Sequence, residues 1–225
     1  VRYAQLCMDH GADGITVHPR PDQRHIRPDD VRRLAALVNP VAGIEFNVEG
    51  NPFAPAMGSY PGFIELVEET QPDQCTLVPD GDDQLTSDHG FDLTQSADAL
   101  QPIIQRLQDR GMRVSLFMDP DLEQIKLAKQ VGADRIELYT GPYAAAWGTE
   151  QLEPLFQQHF AAAMLATELG MGVNAGHDLN LLNLGKFATI PDLLEVSIGH
   201  AFTVDSLEMG MASAVRAYKA LLGES

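Results

Sequence analysis

The sequence predicts an α/β barrel of parallel strands, and three observations carry that reading. Short apolar runs alternate with stretches of helical periodicity along the whole of the 225 residues. Seven runs read as strands, each joined to the next through helix, an order that gives a parallel sheet with helices outside. Five of the runs end on a side chain that can move a proton or hold an anion: 14–17 on His18, 41–44 on Glu45, 134–136 on Glu137, 172–176 on His177 and 195–199 on His200. Chemistry at the carboxyl ends of successive strands is how a (β/α)8 barrel of the TIM class builds its site. An open doubly wound sheet would concentrate that chemistry at one switch point instead.

Residues 1–10 read as the end of a helix closed by Gly11, followed by a strand over 14–18. Asp29 and Asp30 cap a helix whose Val31, Leu34 and Leu37 recur at helical spacing. A strand over 42–47 leads into a Gly- and Pro-rich loop, 48–61, then a helix over 62–70 and a strand over 74–79. A polar loop over 80–93 precedes a helix over 96–110, with Leu100, Ile103, Ile104 and Leu107 on one face. The strand 113–118 runs into Asp119-Pro120, read as an N-cap with proline in the first turn of a helix over 120–130. A strand over 135–139, a loop over 140–143 and a helix over 150–169 follow. Strands over 172–176 and 194–198 bracket a short helix near 180–187, and Asp205 with Glu208 reads as the capping box of a last helix over 205–222. Seven strands are one short of a closed barrel. Because the chain opens inside a helix, the absent element is expected to be the first strand, and residues 1–225 are read as a single, N-terminally incomplete domain.

The apolar fraction of 44% is that of an ordinary globular domain. No apolar run approaches the roughly 20 residues of a membrane helix. With 32 acidic against 15 basic residues the net charge is −17, which repels nucleic acid and anionic membrane. Against that field Arg20, Arg24, Arg27, Arg32 and Arg33 cluster with His18 and His25, as a phosphorylated substrate would require or as a solvated basic patch would look. Cys7 and Cys75 have neither framework nor metal spacing; both read as small buried hydrophobes in a cytoplasmic protein.

Alternation along a strand points Glu45 and Glu137 into the barrel while their apolar neighbours point outward. A buried carboxylate is costly unless paired, so such a group carries a raised pKa or has a cationic partner. Asn174-Ala175-Gly176-His177 and Ser197-Ile198-Gly199-His200 share a pattern in which glycine leaves backbone room before histidine. They fall on the last two strand–helix loops, the usual phosphate site of a barrel. His18, His177, His200 and Glu137 could surround a divalent ion, but no His-x-His pair supports a metal. No Gly-x-Gly-x-x-Gly or Walker loop follows any strand, so no nucleotide cofactor is indicated.

In order along nearly the whole chain, 11–20 (GADGITVHPR), Arg24-His25-Ile26, Ile44-Glu45, Leu77-Val78-Pro79, 114–119 (VSLFMD), Ile136-Glu137 with Thr140-Gly141, 173–177 (VNAGH) and 197–201 (SIGHA) resemble the pyridoxine 5′-phosphate synthases of vitamin B6 biosynthesis. The resemblance implies a TIM barrel with extra helices, assembled as a homo-octamer. It implies condensation of 1-deoxy-D-xylulose 5-phosphate with 3-amino-2-oxopropyl phosphate to pyridoxine 5′-phosphate, phosphate and water, without metal or organic cofactor. By position, His18 and Glu45 match the family's proton acceptors, His177 its proton donor and Glu137 the residue that stabilises charge in the transition state. Arg20, His25 and Thr86 match contacts to the deoxyxylulose phosphate; Gly199 and His200 match contacts to the aminooxopropyl phosphate. Asp178 falls where the family can have glycine, at a substrate contact made through backbone. Two features depart from the family: its first strand, with an Asn-x-Asp-His motif, is absent, and residues 50–61 look like an insertion suited to a surface loop or lid. Two other readings stay open at this point. One is a different phosphosugar barrel enzyme of the epimerase or aldolase type, although no lysine falls at a strand end to form a Schiff base. The other is a truncated, non-catalytic fragment that retains only subunit contacts.

Overall fold

The computed structural model describes residues 1–81 and 84–223. Its strands are β1 (Gly14–Val17), β2 (Glu45–Gly50), β3 (Gln74–Leu77), β4 (Arg113–Met118), β5 (Arg135–Tyr139), β6 (Gly172–His177) and β7 (Leu193–Ile198). All pair in parallel and in chain order, from β1 to β7. The helices are α1 (Arg2–Asp9), α2 (Pro28–Val38), α3 (Phe63–Thr70), α4 (Leu93–Gln108), α5 (Leu122–Gln130), α6 (Gly141–Ala145), α7 (Leu152–Glu168), α8 (Leu184–Phe187), α9 (His200–Met209) and α10 (Met211–Leu221). The result is a TIM-like barrel closed except at a seam between β1 and β7. Across that seam the hydroxyls of Thr16 and Ser197 approach to 3.4 Å.

The hydrophobic core lies between the sheet and its helices. Phe46, Val48, Cys75, Leu77, Val114, Leu116, Ile136, Leu138, Val173 and Ala175 alternate along the strands and are fully buried. Their neighbours of opposite parity fill the barrel with polar groups that satisfy one another. Asn47 and Thr76 bond side chain to side chain, Gln74 reaches Glu195, and Arg135 bonds Asn174 and Glu195. Burying these polar groups is tolerable because most of them meet a partner, the Ser115 hydroxyl being an exception. At the amino ends of the strands the backbone carbonyls of Asp13, Asp73 and Asp134 accept from the first amides of β2, β4 and β6. The carboxylates of Asp73 and Asp134 additionally take the amides of Phe46 and Val114.

Several expected boundaries move. β2 begins at Glu45 rather than 42, because Val41 to Ile44 form a turn in which Gly43 has φ 85°. Asp121, not Asp119, caps α5: its carboxylate accepts from the amides of Glu123 and Gln124. α4 starts earlier than 96, at Leu93, with Asp92 as its cap. The loop expected at 140–143 opens the short helix α6. The single last helix is two, broken at Gly210 (φ 83°), so Asp205 lies mid-helix and its carboxylate accepts from the Tyr218 hydroxyl instead of capping. Cys75 is buried as expected, whereas Cys7 is only half-buried.

Candidate active site

The carboxyl ends of the strands converge on one mouth, and most of the expected residues meet there. β1 delivers His18 one residue beyond its end; β2 delivers Glu49 in its last turn of pleat; the segment after β3 delivers Asp80. His18 lies between two carboxylates, its Nδ1 3.8 Å from Glu49 and its Nε2 3.8 Å from Asp80. Arg20, buried in the loop after β1, places Nη2 2.6 Å from the same Asp80, which also accepts from the Ser87 hydroxyl at 2.8 Å. Among the described residues Asp80 engages one guanidinium nitrogen, and a guanidinium has further donors with which to meet an anion.

The electrostatics run against simple ion pairing. Burial, reinforced by the Arg20 charge, pushes the His18 pKa down to about 4 although Asp80 opposes it. Burial and the nearby Glu195 carboxylate push Glu49 up to about 8, against the His177 ring. Between those values the pair is a neutral imidazole facing a protonated carboxyl, so the 3.8 Å contact is not one of opposite charges. Glu137, in the middle of β5 and fully enclosed, is raised well above the carboxylate range by burial and by Glu49 and Glu195. One oxygen of each of Glu49 and Glu137 is buried without a hydrogen-bond partner, as protonated or substrate-seeking carboxyls can be.

His177 ends β6 with φ 89°, a conformation that non-glycine residues seldom adopt and that concentrates at functional sites. Its Nδ1 lies 2.9 Å from Asp178 Oδ2 and its Nε2 2.5 Å from the Thr86 hydroxyl. The ring meets Tyr139 edge-on, centroids 5.6 Å apart. Burial alone would lower the His177 pKa; Asp178, with Glu49 and Asp80, overcomes it and raises it. His200 is the first residue of α9 with Gly199 as the N-cap, a helix start that follows directly on the carboxyl end of β7, and such helix ends favour anions.

A cleft of about 80 Å³ opens beside His18, Arg20, Arg24 and Asp80. Its far wall is the expected insertion: Asn51, Ala54, Met57 and Tyr60 line it, and Ser59 donates to Gln23 across the cleft at 3.0 Å. Tyr60 is buried with its hydroxyl unpartnered. Arg24 joins the loop after β3 by donating to the Gln84 carbonyl at 2.9 Å. His25 is exposed in the same loop as Arg20. The expected basic cluster therefore divides: Arg32 is bound to Glu69 and Asp29 on the outer helices, away from the cleft.

Glu45 does not join this group. It opens β2 at the opposite mouth, in an ion pair with Arg113 that holds its pKa low. The register explains the displacement: Glu45, Asn47 and Glu49 share inward parity, and four residues of strand separate the first from the last by about 13 Å. Glu45 therefore shares the expected inward face but lies in a different layer of the barrel from Glu49. Sequence reasoning missed Asp80, whose only signal was its place directly after the strand ending Val78-Pro79. Gly176 does leave room, but for Glu137: a Cβ there would lie 1.9 Å from Glu137 Oε1, whereas one at Gly199 would meet open space. Among the described residues no group of His, Cys, Asp and Glu is arranged to hold a metal ion.

Comparison with known proteins places the chain in a family. The model of the pyridoxal phosphate biosynthesis protein PdxJ matches residues 1–224. The chain belongs to the PdxJ family. It is 53% identical over 223 residues to the pyridoxine 5′-phosphate synthase of Xanthomonas axonopodis pv. citri (strain 306), covering 99% of this chain and 87% of that protein. It is 51% identical over 223 residues to the enzyme of the same name from Xylella fastidiosa (strain M23), covering 99% and 85%. Solved barrels share the fold at low identity. The 3-hexulose-6-phosphate synthase of Salmonella typhimurium superposes with TM-score 0.64 at 16% identity, over 98% of this chain and 90% of that one. Phosphoribosyl anthranilate isomerase of Thermus thermophilus gives 0.58 at 14%, over 99% and 93%. PdxJ membership makes this an enzyme of vitamin B6 biosynthesis, and no helix among the described residues is long and apolar enough to cross a membrane.

Proposed function

We infer that this mouth is a pyridoxine 5′-phosphate synthase site, condensing 1-deoxy-D-xylulose 5-phosphate with 3-amino-2-oxopropyl phosphate. The observation that carries the reading is the convergence of His18, Glu49, Glu137 and His177, from four separate strands, on one mouth with a guanidinium beside them. An amine must add to a ketone, water and phosphate must leave, and carbon acids must lose protons. Several acid–base groups around a held intermediate can serve those steps in turn. Arg20, with Thr86 and His25 nearby in chain and loop, is assigned to the deoxyxylulose phosphate. The Gly199–His200 helix start, with Asp178, is assigned to the second phosphate. His177, which has a carboxylate on one nitrogen, is the proton donor. His18, a neutral imidazole, takes the acceptor role; Glu49 beside it reaches the mouth protonated and can supply a proton, whereas Glu45 does not reach the mouth. Glu137 lies deeper and is assigned to stabilise charge in the transition state, as a protonated carboxyl that can donate a hydrogen bond. Catalysis requires no metal or organic cofactor on this reading, and the cytoplasm and a homo-octamer remain the expected compartment and assembly.

The test is to supply both phosphates to the purified protein and follow pyridoxine 5′-phosphate by its absorbance and mass. Product formed only when both are present supports the assignment. A folded protein that binds either phosphate and yields no product contradicts it.

A further inference from the structure

The left-handed turn at His177 is held from both sides. The Thr140 hydroxyl donates to the Gly176 carbonyl at 2.7 Å and accepts from the Asp178 amide at 3.3 Å, so one side chain pins the residues before and after the histidine. The turn brings the Asp178 carboxylate back onto the ring of its own neighbour, 2.9 Å from Nδ1. Nε2 is left facing Thr86 and the mouth.

We propose that the Asp178 side chain is the positioning residue of His177: it accepts from Nδ1–H, fixes the ring's orientation, and leaves Nε2 as the nitrogen that delivers the proton. The proposal deepens the reading of His177 as proton donor and rests on it for its catalytic consequence. A backbone contact to substrate uses only the main chain at 178, so the carboxylate has this separate task.

The charges around the ring agree. On its own element Asp178 faces it; from β2 comes Glu49, from the segment after β3 come Asp80 and the neutral hydroxyl of Thr86, from the loop after β1 comes His18, and from β5 the edge of Tyr139. Asp178 is itself held low by the His177 hydrogen bond and, further off, by His200. Glu49 is largely protonated near neutrality, so Asp178 is the close carboxylate that stays charged beside the ring. An acid that must donate at neutral pH needs such a partner, because burial alone would strip its proton.

The experiment compares wild type, D178N and D178A by NMR titration of 15N-labelled histidine, with H177Q used to assign the His177 signal, and by kcat against pH. Asp178 is partly exposed, so both variants are expected to fold, which circular dichroism checks. The expected result is a His177 titration lowered by about one pH unit in both variants. The high-pH limb of kcat should move down with it, while KM for each phosphate stays within about threefold. An unchanged His177 titration in folded D178N and D178A overturns the proposal. A lowered titration with an unmoved kcat limb leaves the pairing standing and removes His177 as the proton donor, which separates the two readings.

Discussion

Glu49 keeps its proton because it is enclosed among other carboxyls, and His18 loses its own because it is enclosed beside a guanidinium. The two shifts have opposite consequences for stability, and they can be summed. The unfolded chain has ordinary values of about 4.3 for glutamate and 6.5 for histidine. Between about pH 4.5 and 6.5 each state of the protein binds one proton on this pair, so the pair contributes no slope. Between about 6.5 and 8 the folded state holds the Glu49 proton that the unfolded state has released, so stability falls as pH rises. The expected loss across that window is about 2 kcal/mol. E49Q cannot titrate, so its Tm should fall less steeply over the same range; parallel curves for wild type and E49Q would contradict the assigned shift. At His177 the effect is on chemistry. H177A is expected to lower kcat by about a hundredfold or more, the usual worth of a positioned general acid, with the circular dichroism spectrum unchanged. Near-normal turnover would remove it from the mechanism.

At the level of elements the placement of the site depends on register. The inward parity of Glu45, Asn47 and Glu49 is readable from alternation, and so is the polar interior to which they belong. Where β2 begins is not, because the apolar residues before it, Val41, Ala42 and Ile44, have the composition of a strand and form a turn. The same limit explains the helix caps. Asp119 was expected as the N-cap; the helix instead starts after Asp121, whose carboxylate takes two amides. D121A should therefore cost about 1 kcal/mol in denaturant unfolding, and D119A distinctly less. Equal losses would restore the earlier boundary. By contrast, the ends of β1, β5, β6 and β7 were legible, since each expected strand stops within one residue of the observed strand end, although Glu137 falls mid-strand rather than at its end. At β6 the packing is tight enough to predict from: a Cβ at Gly176 would strike Glu137, so G176A should displace that carboxyl and depress kcat while Gly199→Ala leaves the fold intact. Circular dichroism and turnover on the two variants check it.

The whole molecule is a barrel whose inside is polar and whose outside carries the hydrophobic core. Layers of Gln74, Asn174, Glu195, Arg113 and Arg135 fill the amino-terminal half, so only the carboxyl-terminal half offers space and unpaired acid. That division separates the mouth that gathers the acid–base groups from the one filled by hydrogen-bonded polar layers. Glu45, though acidic and inward, lies in that amino-terminal half, paired with Arg113. Fold class followed from the alternation of runs, but long-range pairings such as Arg20 with Asp80 link segments sixty residues apart and leave no local trace. Because each proton transfer is assigned to a side chain, dialysis against a chelator should leave turnover unchanged; a loss restored by a divalent ion would favour an epimerase-type barrel. The most direct measurement is turnover with both phosphates for wild type, E49Q and E45Q. The account predicts a fall in kcat of about a hundredfold in E49Q and a change of less than about threefold in E45Q. Full activity in E49Q with loss in E45Q would place the chemistry at the wrong end of the barrel and contradict it.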